Sequence, residues 1–168
     1  MFKKLFKKKV DQAVFADVGI PVNNNWRGNK YAERLIKEWL EHGKILLAVD
    51  FDDSISSWGF KGFDANVDFK KTISTIALAQ SVGAYVSIWS ACDADRYDYI
   101  KSYCQANHLH IDSINENPIQ LPYGNHRKMY YNLLLDDRAG LSQALSMLEY
   151  CCYRVMSDRK PITQNFDV

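Results

Sequence analysis

The stretch Ile45-Leu46-Leu47-Ala48-Val49-Asp50-Phe51-Asp52-Asp53-Ser54 constrains this chain more than any other, because five apolar residues in a row run into three carboxylates. A continuous apolar run of this length reads as a strand buried on both faces, as in a parallel sheet. In open parallel sheets, ligands and chemistry gather beyond the carboxyl ends of the strands. Asp50 and Asp52 stand at that edge. Alternate residues of a strand face opposite ways, but the strand ends here, and a turn brings both carboxylates around one pocket. Crowded carboxylates repel and call for a cation. Oxygen ligands with room for water suit Mg²⁺.

The surrounding chain alternates helix and strand signals. Asn29 is placed to cap a helix from Lys30 to about His42, with Tyr31, Leu35, Ile36, Trp39 and Leu40 as its apolar stripe and Gly43 as its stop. The first strand is Ile45 to Phe51. A second helix is expected over Val67 to Ser81, with Phe69, Ile73, Ile76 and Ala77 inward, closed by Gly83. Ala84 to Trp89 reads as the second strand, Asp95 to Asn107 as a helix, and His110 to Ile114 as a weak third strand. Tyr131 to Leu135 reads as the fourth strand, ending on Asp136-Asp137. Leu141, Leu145, Leu148, Cys152 and Val155 share one face of a long last helix. The class is α/β: a Rossmann-like three-layer α/β/α arrangement with a mainly parallel central sheet.

The 168 residues, 47% hydrophobic and 13% aromatic, suit one globular domain and exclude a disordered chain. No apolar run is long enough to span a membrane. The organisation expected is an N-terminal extension over 1–43, a core over 44–156 and a tail over 157–168. The formal charge of +1 hides an asymmetry. Met1 to Lys9 holds five lysines and no acid; without them 16 basic residues face 20 acids, so the remainder is about −4 and is not a general nucleic-acid surface. Phe2, Leu5 and Phe6 share a helical face among those lysines. Residues 1–9 are therefore either a solvated or self-docked tail or a contact for an anionic partner, lipid or nucleic acid. Cys92, Cys104, Cys151 and Cys152 form no C-x-x-C pair and no zinc spacing, so a reducing, cytoplasmic setting is expected.

Four features line up at strand ends: Asp50-x-Asp52 after strand one, Ser90 after strand two, Lys128 (or Arg127) before strand four, and Asp136-Asp137 after it. Right-handed crossovers carry such ends to one edge of the sheet. Other residues admit plainer readings. Trp58, Phe60 and Phe63 are read chiefly as packing, with stacking on a nucleobase as the alternative. Asn115 and Asn117 suit an Asn-Pro turn as well as a substrate contact. Cys92 is read as packing, and His126 as an exposed loop residue.

Taken in order, these four features resemble the signatures of the haloacid dehalogenase superfamily of phosphohydrolases. Asp50-Phe51-Asp52-Asp53-Ser54 resembles the first, Ser90 the second, Lys128 the third and Asp136-Asp137 the fourth. The resemblance covers roughly Lys44 to Met156. Details such as Ile88-Trp89-Ser90 and Asp136-Asp137-Arg138-Ala139-Gly140 are similar to small phage and bacterial members. The resemblance implies Asp50 as the nucleophile that forms an aspartyl-phosphate and Asp52 as the acid and base. It implies Ser90 and Lys128 on the phosphoryl oxygens. It also implies Mg²⁺ held by Asp50, Asp136 and the backbone carbonyl of Asp52, with Asp137 acting through water or on its neighbours. The sequence departs from the pattern at Asp53, where Gly is usual, at Ser54, where Thr is commoner, and in the long segment before the first strand.

Larger caps in this family enter after strand one or before the lysine signature. Both gaps are short here, Ser54 to Asn66 and Asn115 to Arg127, so no large cap domain is expected. An open site suits a nucleic-acid end such as a 3′-phosphate. It equally suits a small phosphorylated substrate, a nucleotide or sugar phosphate, enclosed by a homo-oligomer partner or by the extension. Two functions stay open: a Mg²⁺-dependent phosphomonoester hydrolase, and a non-catalytic phosphate-binding accessory protein recruited through residues 1–9.

Overall fold

Asn29 begins the first helix and Gly43 ends it. The Asn29 side chain accepts from the backbone N–H groups of Tyr31 and Ala32, and Gly43 adopts a left-handed φ of 73°. Between them runs α1, Lys30–His42. The computed structural model describes residues 24–57, 69–117 and 129–159. Within these, β1 is Leu46–Asp50, α2 Lys70–Ser81, β2 Tyr85–Trp89, α3 Tyr97–Ala106, β3 Ser113–Ile114, β4 Leu133–Leu135 and α4 Leu141–Asp158. Short 3₁₀ turns cover Asn24–Trp26, Ala94–Arg96 and Asp137–Ala139.

The sheet order is β3-β2-β1-β4. Every pairing is parallel, with Asp50 level with Trp89 and Val49 level with Leu135. The chain thus has the α/β Rossmann-like architecture expected, with β1 inside the sheet and its carboxyl end flanked by the ends of β2 and β4. The period of two sorts β1 onto two faces. Ile45, Leu47, Val49 and Phe51, all at 0–1% exposure, join Val86, Ile88 and Leu135 in the main core. Ala32, Leu35, Ile36 and Trp39 of α1, Ile76 and Ala79 of α2, Ile100 and Cys104 of α3, and Leu145, Leu148, Cys152 and Val155 of α4 complete it. The helix from the N-terminal segment therefore shares one core with the sheet. Trp39 is anchored there by its indole N–H, which donates to Val82 O at 3.2 Å.

Several expected boundaries and faces shift. Tyr31 and Leu40 are 56% and 39% exposed, so the buried stripe of α1 is narrower and includes Ala32 instead. α2 begins at Lys70 and buries Thr72, Thr75, Ile76 and Ala79, while Ile73 and Ala77 are partly buried and packed against the same core and Phe69 lies just before the helix. A packed helix buries one ridge at spacings of three and four, and two of the residues on that ridge here are threonines. α4 runs to Asp158, two residues into the expected tail.

The third and fourth strands are shorter than expected for a shared reason. Leu46 N–H donates to Asn132 Oδ1, and Asn132 N–H donates back to Leu46 O, each at 2.8 Å. Val86 N–H donates to Asp112 Oδ2 at 2.7 Å, and Asp112 N–H to Val86 O at 2.8 Å. In both places a side-chain oxygen stands in for a strand carbonyl. The ladder hydrogen bonds are satisfied before either strand begins.

Two glycines hold the lower turns together. Gly83 has φ 101°, and a Cβ there meets Gly43 O at 3.0 Å. The turn after α2 thus lies against the end of α1 so closely that only glycine fits.

Candidate active site

Asp50 is the last residue of β1 and is half-buried. Its proton affinity is raised from 3.8 to about 6, first by burial, then by the charge of Asp136, with smaller contributions from Asp137 and Asp52. The Phe51 N–H opposes this by hydrogen-bonding the carboxylate. The carboxylates after β1 and β4 therefore meet in one region, as right-handed crossovers require. A buried acid among like charges holds its proton more tightly unless a cation compensates.

The turn after β1 redirects the chain sharply. Phe51 O accepts from both Ile55 N–H (3.2 Å) and Ser56 N–H (3.1 Å), and Asp53 N–H donates to Ser56 O at 2.6 Å. Asp53 takes a left-handed φ of 57°. Gly is the usual residue for such a conformation, but Asp is one of the few others that tolerate it. The departure noted at Asp53 is thus accommodated by the backbone itself.

Ser54, at 0% exposure, ties two acids together. Its hydroxyl donates to Asp50 Oδ2 at 3.3 Å and accepts from the Asp137 N–H at 3.0 Å. Asp136 Oδ1 accepts from the Arg138 N–H at 2.8 Å, which turns the chain into the Asp137–Ala139 helix. A short side chain bridging the ends of β1 and β4 explains why a hydroxyl follows the acids at this position.

Ser90 follows β2 and is buried. Asn115 clamps it: Ser90 N–H donates to Asn115 Oδ1 at 2.9 Å, and Asn115 Nδ2 donates to Ser90 O at 2.8 Å. Asn115 itself has a left-handed φ of 55°. It acts as one more rung of the ladder past the end of β3. The Ser90 hydroxyl donates to Asp52 Oδ2 at 3.4 Å.

The residue that pattern reading missed is Arg96. Its guanidinium grips Asp52 with both arms, Nη1 to Oδ2 at 2.7 Å and Nη2 to Oδ1 at 2.6 Å. The side chains are 26% and 18% exposed, so the pair is partly shielded. No spacing rule places an arginine from the turn before α3 onto an acid after β1.

Asp50, Asp52, Ser90, Asp136 and Asp137 are thus joined by hydrogen bonds and mutual charge. Lys128, Arg127, His126, Trp58, Phe60, Phe63 and the lysines of residues 1–9 lie outside the described residues. Two cavities border the site. One of about 450 Å³ is lined by Tyr97, Lys101, Asn115 and Glu116 among others, and one of about 470 Å³ by Lys71, Thr72, Asp137 and Gly140 among others. Cys104, Cys151 and Cys152 are buried free thiols, pushed up to about 11, 12 and above by burial, and Cys92 packs against the core. The three buried thiols thus lack the lowered proton affinity of a nucleophilic thiol.

Among the described residues no group of three or more His, Cys, Asp or Glu side chains is placed to hold a metal ion. Mg²⁺ does not require one, since it keeps several waters and needs only one or two carboxylates. Asp50 and Asp136 meet that requirement in kind, being oxygen donors whose mutual repulsion raises the proton affinity of Asp50. The Asp52 carboxylate is engaged by Arg96, which leaves its backbone carbonyl as the donor the family resemblance implies.

No protein-family model matches the chain, and no curated protein matches it. Among solved structures it is similar to one described as the conserved protein coded by a locus of Bacteroides thetaiotaomicron. The match spans 74% of this chain and 99% of that one at 21% identity, with a TM-score of 0.50. The likeness is one of fold. Among the described residues no helix is long and apolar enough to cross a membrane.

Proposed function

We propose that this chain is a Mg²⁺-dependent phosphomonoester hydrolase that works through an aspartyl-phosphate on Asp50, in the manner of the haloacid dehalogenase superfamily. The observation that carries the reading is the half-buried Asp50 carboxylate, held at about 6 by burial and by Asp136, at the end of the inner strand and followed by a turn whose Ser54 donates to it and whose Asp52 accepts from the Ser90 hydroxyl.

The chemistry follows from the residues. An Asp50 oxygen attacks phosphorus. The bond from phosphorus to the ester oxygen breaks, and its electron pair leaves with that oxygen, which takes the proton that Asp52 carries in the reacting form of the site, the carboxylate otherwise resting paired with Arg96. A water then attacks the phosphorus of the aspartyl-phosphate and gives a proton to Asp52. The bond to Asp50 breaks, inorganic phosphate departs, and both acids return to their starting states. Ser90 donates to a phosphoryl oxygen from a backbone that Asn115 holds fixed. Lys128 neutralises another phosphoryl oxygen in this reading. Asp50, Asp136 and the Asp52 backbone carbonyl, with Asp137 beside them, would hold Mg²⁺, which would supply the positive charge that lets a carboxylate approach a phosphate dianion. Ser54 keeps Asp50 and the Asp136-Asp137 turn at a fixed separation.

The two gaps in which a cap would enter, Ser54 to Asn66 and Asn115 to Arg127, are short in sequence, which suits an accessible site. Nucleotides, sugar phosphates and nucleic-acid 3′-phosphates are the substrate classes in view. The test is hydrolysis of p-nitrophenyl phosphate with and without Mg²⁺. Turnover that needs the metal and disappears in Asp50→Asn supports the enzyme. Equal, negligible turnover by both proteins, with retained binding of an anionic polymer, refutes it in favour of a phosphate-binding accessory protein.

A further inference from the structure

We propose that Arg96 is the positioning residue for Asp52: its fork fixes the plane of that carboxylate so that one oxygen faces the leaving group and, later, the attacking water. The inference rests on the phosphatase reading of the site and adds a residue that none of the family-like signatures contains.

The geometry carries it. Both Asp52 oxygens accept from the two arms of one guanidinium, at 2.7 and 2.6 Å. Two parallel hydrogen bonds between two planar groups hold them near one plane, so rotation about the last bond of Asp52 is arrested. A single point charge leaves that rotation free. The guanidinium is itself braced. It lies over the Phe51 ring at 5.5 Å and near the Tyr99 ring at 5.9 Å. Phe51 is fully buried and meets Tyr99 and Tyr103 edge-on at 6.0 and 5.4 Å. The Tyr103 hydroxyl donates to Ile55 O at 2.8 Å, which returns the support to the turn carrying Asp52. The brace thus runs from the core through two rings and an arginine to one carboxylate. Ser90 touches the same Asp52 oxygen as Arg96 Nη1, which ties the phosphate-facing hydroxyl to this frame.

A carboxylate that moves a proton must sit within hydrogen-bond reach of its target, and small misplacements cost large rate factors. The need is greatest for a basic leaving group. A p-nitrophenolate departs unaided, whereas an alkoxide needs the proton. The hydrolysis of the aspartyl-phosphate needs Asp52 whatever the leaving group was.

The experiment compares wild type, Arg96→Gln and Arg96→Lys on p-nitrophenyl phosphate and on glycerol 2-phosphate, with thermal unfolding of each. Arg96→Lys keeps the charge and loses the fork. Both variants are expected to lose about 10²-fold in kcat/KM on the alkyl ester and far less on the aryl ester. With the aryl ester they are also expected to show a burst of p-nitrophenol and an acid-stable phosphoenzyme, because only the second half-reaction is slowed. Added guanidinium is expected to restore part of the Arg96→Gln rate. An equal loss on both esters without phosphoenzyme, an unchanged rate, or full activity in Arg96→Lys overturns the proposal while leaving the phosphatase reading intact. A wild type that hydrolyses neither ester overturns that reading and this proposal with it. Should Arg96→Gln fail to fold, Arg96→Lys decides the matter on the same readouts.

Discussion

Replacing Asp50 by Asn is expected to make the metal-free protein more stable at neutral pH, although it removes the proposed nucleophile. The carboxylate binds its proton with a pKa of about 6 in the folded chain, against 3.8 without burial or neighbours. Linkage fixes the sign. The protonated form is favoured by folding, so ionisation works against the folded state. Its cost is absent below 3.8, grows as pH rises, and is complete above about 6. At about 1.36 kcal/mol for each tenfold change in proton affinity, the full difference is about 3 kcal/mol. Asp50 is only half-buried, so screening by water reduces this to about 1–2 kcal/mol. Asn keeps the shape and still accepts the Ser54 hydroxyl, so the charge is the main thing removed. For a chain of this length the gain corresponds to about 2–8 °C in Tm. The assay is thermal and urea unfolding of both proteins in EDTA, at about pH 8 and about pH 4.5. The gain at the higher pH should shrink to about a third at the lower, since wild-type Asp50 is then largely protonated. Mg²⁺ should raise the wild-type Tm more than that of the variant. A variant no more stable than wild type at the higher pH, or equally stabilised at both, refutes the crowded-carboxylate argument.

Three further outcomes follow from particular contacts. Gly43→Ala and Gly83→Ala both force alanine into a left-handed φ, costing about 1 kcal/mol in urea unfolding. Gly83→Ala should cost more, because its Cβ alone meets Gly43 O, at 3.0 Å; equal losses would contradict the close approach. Asn115→Ala removes both hydrogen bonds to the Ser90 backbone. It should lower kcat/KM on p-nitrophenyl phosphate by about 10–10²-fold, and an unchanged value would show that Ser90 needs no clamp. Asp137→Asn removes a charge that raises the Asp50 proton affinity. The ¹³C NMR titration midpoint of the Asp50 carboxyl in EDTA should therefore fall below that of wild type, and an unmoved midpoint would separate the two acids.

Much of this molecule was legible in its sequence because the strongest signals are local. Asn29 and Gly43 bound α1 on the residues expected, since cap chemistry needs only a few neighbours. The apolar run of β1 fixed a strand inside a parallel sheet, and the placement of Asp50, Ser90 and Asp136 at strand ends brought them together. What stayed hidden depends on contacts distant in sequence. Asn132, Asp112 and Asn115 each use a side chain as a substitute rung of the ladder, and no periodicity encodes that. Arg96 reaches Asp52 across 44 positions, and its neighbours Ala94, Asp95 and Tyr97 read as an ordinary helix start. The buried ridge of α2 uses threonines, which a hydrophobic stripe passes over. Ser54 reads in the sequence only as a hydroxyl where Thr is commoner, yet it bridges the ends of two strands.

The central claim is that Asp50 carries the phosphoryl group, and chemical trapping tests it at the residue itself. The protein is mixed with p-nitrophenyl phosphate and Mg²⁺, quenched in acid during turnover and reduced with borohydride, which converts an aspartyl-phosphate to homoserine. Mass spectrometry of the peptide spanning residues 45–57 should then show homoserine at position 50 and none in Asp50→Asn. Active turnover with Asp50 unmodified, or with the modification on another acid, contradicts the account.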